Sequence, residues 1–252
     1  STEPTSDPLW PEGVLCRHLR TVDSTMAEAA RIAPELEAPT WIIADEQTAA
    51  RGRRGREWVN PKGNLAATLI YRPNCTAPQA GLRSFMAAIA LFEALAMYVD
   101  RDKLSLKWPN DVLLNGGKVA GILLETAGNG PFVDWLSIGI GVNLAHVPHG
   151  VRDAAFPPVS LKSEGGRDAT PQEFLIRLAS DFATQEAKLW EFGFEMIRND
   201  WLSHAARLGE VITARTTREE ITGTFETIDI DGNLVLMTPE GRCAVPAADI
   251  YF

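Results

Sequence analysis

From Pro78 to about Asp100 the chain runs through QAGLRSFMAAIALFEALAMYV with almost no charge. A helix that is apolar on most of its sides cannot lie on a surface, so this stretch predicts a central core helix that other elements must enclose. The chain has 252 residues, 45% of them hydrophobic, which is enough to build that enclosure. Residues 41–44 and 64–71 read as buried strands. Three more strands are expected at 104–108, 118–126 and 135–144, the first two joined by a turn at Asn115-Gly116-Gly117. Strands so closely spaced predict a mixed or antiparallel sheet flanked by helices, an α+β fold. Asp23-Ser24-Thr25 caps a short helix that Pro34 and Pro39 end, and Pro171 opens a long amphipathic helix to about Trp190. A second helix should span 195–206, and 145–169 should be an irregular connection. Beyond Gly209, residues 211–215, 221–228, 233–238 and 243–246 alternate around Asp231-Gly232 and Glu240-Gly241 turns, which predicts a small β-barrel. The expected organisation is a mobile Pro-rich segment over 1–14, a main domain over 15–207 and the β domain over 208–252.

Residues 51–58, RGRRGREW, hold four arginines and two glycines in a chain of net charge −9. Cations packed so tightly repel one another unless an anion sits among them, so the stretch predicts a loop that closes over phosphate or carboxylate. It is slung between the strands at 41–44 and 64–71. A pI near 5.0 argues against nucleic acid as the main partner, because backbone phosphates need a broad basic face, so the anion site must be local. Cys16, Cys75 and Cys243 are odd in number and in no ligand spacing, which suits a reducing compartment. No basic, apolar leader and no run of about 20 apolar residues is visible. The chain reads as cytoplasmic, with no membrane partner.

Two further blocks follow: KWPND at 107–111 and KVAGILLE at 118–125. A carboxylic acid activated by ATP must approach the α-phosphate although both are anions, and such a contact at about 4 Å is repulsive by roughly 4 kcal/mol at an effective dielectric of 20. Arg51, Arg53, Arg54 and Arg56, with Lys107 and Lys118, supply the cancelling charge. The acyl-adenylate is a mixed anhydride that water destroys, so a cover is needed, and Gly52 and Gly55 give the loop freedom to be one. Trp58 and Trp108 could shield the site or pack on adenine, although a strand tryptophan is more often core. Asn110 and Asp111, just past a strand end, could hold Mg²⁺ or the ribose. Gly139-x-Gly141 lacks the third glycine of a dinucleotide fingerprint and reads as a strand with close backbone packing. His146 and His149 lack partners at zinc-ligand spacing.

KWPND, KVAGILLE and the arginine loop together resemble the biotin protein ligases, and the resemblance runs from about Leu15 to Phe252. It implies a class II synthetase-like catalytic domain with a C-terminal SH3-like β-barrel, in the form lacking the family's N-terminal DNA-binding domain. It implies synthesis of biotinyl-5′-AMP from biotin and ATP with Mg²⁺, then transfer to one lysine of a biotin carboxyl carrier protein. By the same resemblance Ser24, Thr25, Gln47, Arg51, Gly52, Arg53, Lys118 and Gly121 bind biotin. Arg53, Arg54, Arg56, Trp58, Lys107, Asn110, Asp111, Lys118 and Asn143 serve ATP; Lys118, Arg53, Asp111 and Lys107 are the catalytic set; Asp111 and Asn143 are the Mg²⁺ candidates. The chain departs from the family at Ala50 and Met26, where Gly and Asn are usual. Lipoate attachment on the same fold and a non-enzymatic biotin sensor are the alternatives, and monomer or homodimer are both compatible.

Overall fold

The computed structural model describes residues 2–150 and 156–252. Eight strands form one sheet: β1 (Thr2–Pro4), β2 (Leu15–Val22), β3 (Thr40–Gln47), β4 (Leu65–Tyr71), β5 (Leu104–Lys107), β6 (Asp111–Leu114), β7 (Gly117–Ala127) and β8 (Trp135–Val142). Their order is β1-β2-β3-β4-β8-β7-β6-β5, with β2 and β3 parallel and every other pair antiparallel. The expected mixed sheet is present. β1 pairs with the start of β2, inside the segment read as mobile from sequence.

Strand β6 corrects the expected connectivity. Residues 104–108 and 118–126 are not joined directly, because the chain turns at Trp108-Pro109-Asn110 and runs back as β6, with Lys107 opposite Asp111 and Leu104 opposite Leu114. Proline has no N–H for a ladder, so the strand stops there. The turn into β7 falls where expected: Asn115 and Gly116 both have positive φ, 50° and 81°, as a tight hairpin requires.

The sheet has two unlike faces, and β8 shows both. Leu136, Ile138, Ile140 and Val142 join the main core, where α3 (Arg83–Leu95) packs against α4 (Pro171–Phe192) and α5 (Phe194–Ser203). Nearly every residue of α3 is buried, as its uncharged sequence requires. A short α2 (Ala77–Gly81) precedes it, so the single helix expected from Pro78 breaks at Leu82. Arg83 is buried and held by Glu186 of α4 at 3.3 Å, and Glu186 also accepts from Tyr71 of β4 at 3.0 Å, which ties both helices to the sheet. The opposite face carries Ser137, Gly139 and Gly141 and is covered in part by α1 (Thr25–Ile32).

The C-terminal strands β9 (Val211–Arg215), β10 (Glu220–Ile228), β11 (Leu234–Thr238), β12 (Gly241–Val245) and β13 (Asp249–Tyr251) form an antiparallel sheet in the order β12-β11-β10-β9-β13. The expected small C-terminal β domain is present, and among the described residues β12 and β13 lie at opposite ends of its ladder and do not pair. Trp108 is core, 3% exposed, and its indole N–H donates to Gly232 O at 3.1 Å, pinning this sheet to the larger one.

Candidate functional site

Strand register builds the site. Lys107, Asp111, Gly121, Gly141 and Ala66 are successive partners across β5, β6, β7, β8 and β4, so they form one row on the sheet. Charge sits at one end of the row and bare backbone in the middle. The β6–β7 pairing slips between Val112 and Leu113, and such a bulge re-aims side chains. Beside it the Lys118 ammonium reaches Asp111 Oδ1 at 3.1 Å, while Lys107 Nζ lies 3.6 Å from Asp111 Oδ2 and 3.8 Å from the centre of the Phe156 ring. Trp58 lies over the glycines: a Cβ on Gly141 would fall 2.4 Å from its ring, and one on Gly121 3.3 Å from it. The close backbone packing expected of Gly139 and Gly141 is present.

Over this row lies a cavity of about 940 Å³. Every candidate residue lines it except Arg54. At one end Thr25 donates its backbone N–H to Gln47 Oε1 at 2.9 Å, and its hydroxyl meets Thr68 Oγ1 at 2.7 Å. Ser24 Oγ caps α1 by accepting from Ala27 N at 3.0 Å. At the other end Asn110 ties its Nδ2 to Ile122 O at 2.6 Å and accepts from Arg53 Nη1 at 3.5 Å.

The arginine loop is closed by backbone bonds, Gly52 N to Arg56 O at 2.7 Å and Trp58 N to Ala50 O at 3.1 Å. Its glycine at position 55 and Arg54 both have positive φ, which makes the reversal possible. The anion expected among the arginines is partly the chain's own. Arg54 Nη1 and Arg56 Nη2 both donate to Asp249 Oδ2, at 2.7 and 2.8 Å, and Arg53 Nη2 reaches Ala248 O at 3.3 Å. Burial lowers the pKa of Arg53 from its ordinary value, as expected for a charge in a partly dry place. Burial alone would raise that of Asp249, but the Arg56 hydrogen bond and the charges of Arg56, Arg54 and Arg53 outweigh it and hold the carboxyl low. Its contribution to stability is therefore complete above about pH 4, the ordinary aspartate range, and is lost as pH falls below it. Asp249→Asn should loosen the loop and speed tryptic cleavage after its arginines by about tenfold or more, read by limited proteolysis near neutral pH.

Sequence reasoning missed Asp249 and Asn64. Asn64, 1% exposed, accepts from the N–H groups of Ala145 and His146 at 3.0 and 2.9 Å and donates to His146 O at 2.8 Å. It also reaches Asn143 Oδ1 at 3.4 Å, and Asn143 Nδ2 in turn donates to Val159 O at 3.0 Å. Asn64→Ala should cost about 2–4 kcal/mol in denaturant unfolding, because buried backbone groups lose their partners.

With this geometry in view, known proteins show the same pattern. The Biotin/lipoate A/B protein ligase family matches residues 19–143, and the Biotin protein ligase C terminal domain matches residues 208–252. A biotin--[acetyl-CoA-carboxylase] ligase of Paracoccus denitrificans is 53% identical over 237 residues, covering 93% of this chain and 99% of that protein. The chain belongs to the biotin protein ligase family. The bifunctional ligase/repressor BirA of Bacillus spizizenii is 32% identical over 91% of this chain and 71% of its own length. Among solved structures, the biotin protein ligase from Aquifex aeolicus in complex with biotin and ATP superposes with a TM-score of 0.76 at 26% identity, covering 93% of this chain and 97% of that one. The biotin protein ligase fold is therefore shared along nearly the whole chain. Among the described residues no helix is long and apolar enough to cross a membrane.

Proposed function

We propose that this chain activates biotin with ATP to biotinyl-5′-AMP and transfers the biotinyl group to a lysine ε-amine on a biotin carboxyl carrier domain. The observation that carries this reading is the cavity itself. A neutral hydrogen-bonding end at Thr25 and Gln47 is joined, over a glycine floor, to a cationic end at Arg53, Lys107 and Lys118.

A neutral bicyclic urea suits the first end, where the Ser24 and Thr25 hydroxyls and the Gln47 amide offer donors and acceptors. The acid tail then runs toward Lys118 alongside Trp58, which is seated on Gly141 and Gly121 and whose buried Nε1–H lacks a partner among the described residues and can serve a ligand oxygen. Lys118 bridges carboxylate and α-phosphate, Arg53 closes from above on the Asn110 anchor, and Arg51 and Gly52 line the mouth. The carboxylate oxygen attacks the α-phosphorus and pyrophosphate leaves. Arg56 and Lys107 stabilise the charge that builds on the phosphates. In the second step the neutral acceptor amine attacks the anhydride carbonyl, the C–O bond to AMP breaks, and the proton lost by the amine passes to the departing phosphate or to water.

Mg²⁺ fits on the same reading, with one protein carboxylate. No group of three or more His, Cys, Asp or Glu able to hold a metal exists among the described residues. Asp111, whose carboxylate also meets Lys118 and Lys107, would be the charged protein donor for a Mg²⁺. The Asn143 amide is engaged with Val159 and Asn64, so the proposal rests on Asp111. When bound, the ion supplies charge neutralisation on the phosphates. Asp111→Asn should raise the Mg²⁺ concentration for half-maximal activity by about tenfold, checked by titrating Mg²⁺ at saturating ATP.

We place the boundary between a catalytic domain over 15–207 and the C-terminal domain over 208–252. A reducing cytoplasm suits the three free cysteines. The test is incubation of the purified protein with biotin, ATP, Mg²⁺ and an apo carrier domain, read by intact mass. Mass gain corresponding to one biotinyl group supports the reading; gain with lipoate and none with biotin would replace it by the lipoate alternative.

A further inference from the structure

The side chain of Met26 lines the cavity beside Thr25. It lies on Gly139, the residue of β8 that pairs with Thr68 on one side and Leu123 on the other. A Cβ placed on Gly139 would stand 2.7 Å from Met26 Sδ and 2.9 Å from its Cγ. The thioether thus occupies the space that any other residue at 139 would need. Gly139 does not have a positive φ, so its lack of a side chain answers to this contact rather than to backbone conformation.

Met26 is half-buried and anchored at its backbone. Its helix is fixed just upstream by the Ser24 cap, by Thr25 N on Gln47 and by Thr25 Oγ1 on Thr68. Beneath it is the sheet. The side chain lines the cavity, so a thioether pushed off Gly139 moves into it next to the polar cluster. An unbranched, polarizable side chain shapes itself to an apolar ring flank.

We propose that Met26, seated on Gly139, is a specificity-determining residue that forms the apolar wall against the fused-ring head of the acid substrate. This rests on the biotin reading above. Gly139→Ala should push the thioether into the cavity and weaken biotin binding by about tenfold or more, the scale of one methyl group in a tight pocket. Met26→Ala in the Gly139→Ala background should recover most of that loss, because the two changes exchange volume. Met26→Ala alone should shrink the preference for biotin over desthiobiotin, which keeps the cyclic urea and lacks the sulfur ring, by about fivefold or more.

Calorimetric titration of the four proteins with biotin and with desthiobiotin reads all three effects without ATP. Steady-state rates then show the loss in KM for biotin rather than in KM for ATP, a split that general destabilisation would not produce. The proposal is overturned if Gly139→Ala binds biotin like the unmodified protein, or if the double variant binds no better than Gly139→Ala. It is equally overturned if Met26→Ala keeps the original biotin to desthiobiotin ratio, a result available even if Gly139→Ala does not fold. Absence of biotin binding by the unmodified protein would instead bring down the parent reading.

Discussion

Lys118→Ala is expected to abolish adenylate synthesis, with biotin-dependent pyrophosphate release falling by about 1,000-fold, or roughly 4 kcal/mol of lost transition-state stabilisation. Two anions brought to bonding distance repel by about that amount at an intermediate dielectric. The Lys118 ammonium stands beside the glycine floor and 3.1 Å from Asp111, so it is held in place before either ligand arrives. Other cations are close but already engaged. Arg54 and Arg56 are paired with Asp249, and Lys107 lies on the far side of Asp111 against Phe156. The Lys118 side chain is partly exposed, so its removal should leave the unfolding midpoint nearly unchanged. Pyrophosphate release at the original rate from a folded Lys118→Ala protein would contradict the assignment. Lys118→Arg keeps the charge on a longer, planar group and should retain only a minor part of the rate.

Gly141→Val is the second large effect. Its first new carbon would stand 2.4 Å from Trp58 Cε2 and Cζ2 and 2.6 Å from Nε1, so the indole cannot stay over the sheet. Once Trp58 is displaced, the arginine loop loses the side chain that seats it on the sheet beside the cavity, and water reaches the anhydride. The expected result is biotin affinity lower by about 100-fold, with free adenylate appearing in solution when the enzyme is driven with excess substrates. Tryptophan emission should shift toward longer wavelengths as Trp58 enters solvent. Gly130→Ala serves as the control, since a Cβ there meets nothing closer than 4.0 Å. Unaltered biotin binding by a folded Gly141→Val protein would show that the seat of Trp58 on the sheet does not shape the ligand site.

Much of this was legible in the chain because the signals were local. The uncharged run around α3 had to be buried, and Asn115-Gly116 had to turn. The arginine loop had to lie between two apolar strands, and the two glycines of β8 had to meet something closely. What was not legible depended on contacts distant in sequence or on slips of register. β2 was missed because its sequence, LCRHLRTV, is mostly half-exposed and lacks a clear apolar alternation. β6 was missed because the four residues after Asn110 look like the tail of a turn until paired with β5. The Lys118–Asp111 pair depends on a slip in the β6–β7 ladder that no residue type announces. Asp249 is 195 residues from Arg54, and nothing near either residue points to the other. In the C-terminal domain alternation identified the strands but does not say whether the two edge strands of the ladder, β12 and β13, meet.

The most direct test is a crystal structure of the protein with biotinol-5′-AMP, a stable analogue of the adenylate. The account predicts the ring system beside Thr25, Gln47 and Met26, and the phosphate linkage beside Trp58 within hydrogen-bond reach of Lys118 and Arg53. A ligand bound away from that row, with Lys118 still facing only Asp111, would contradict it.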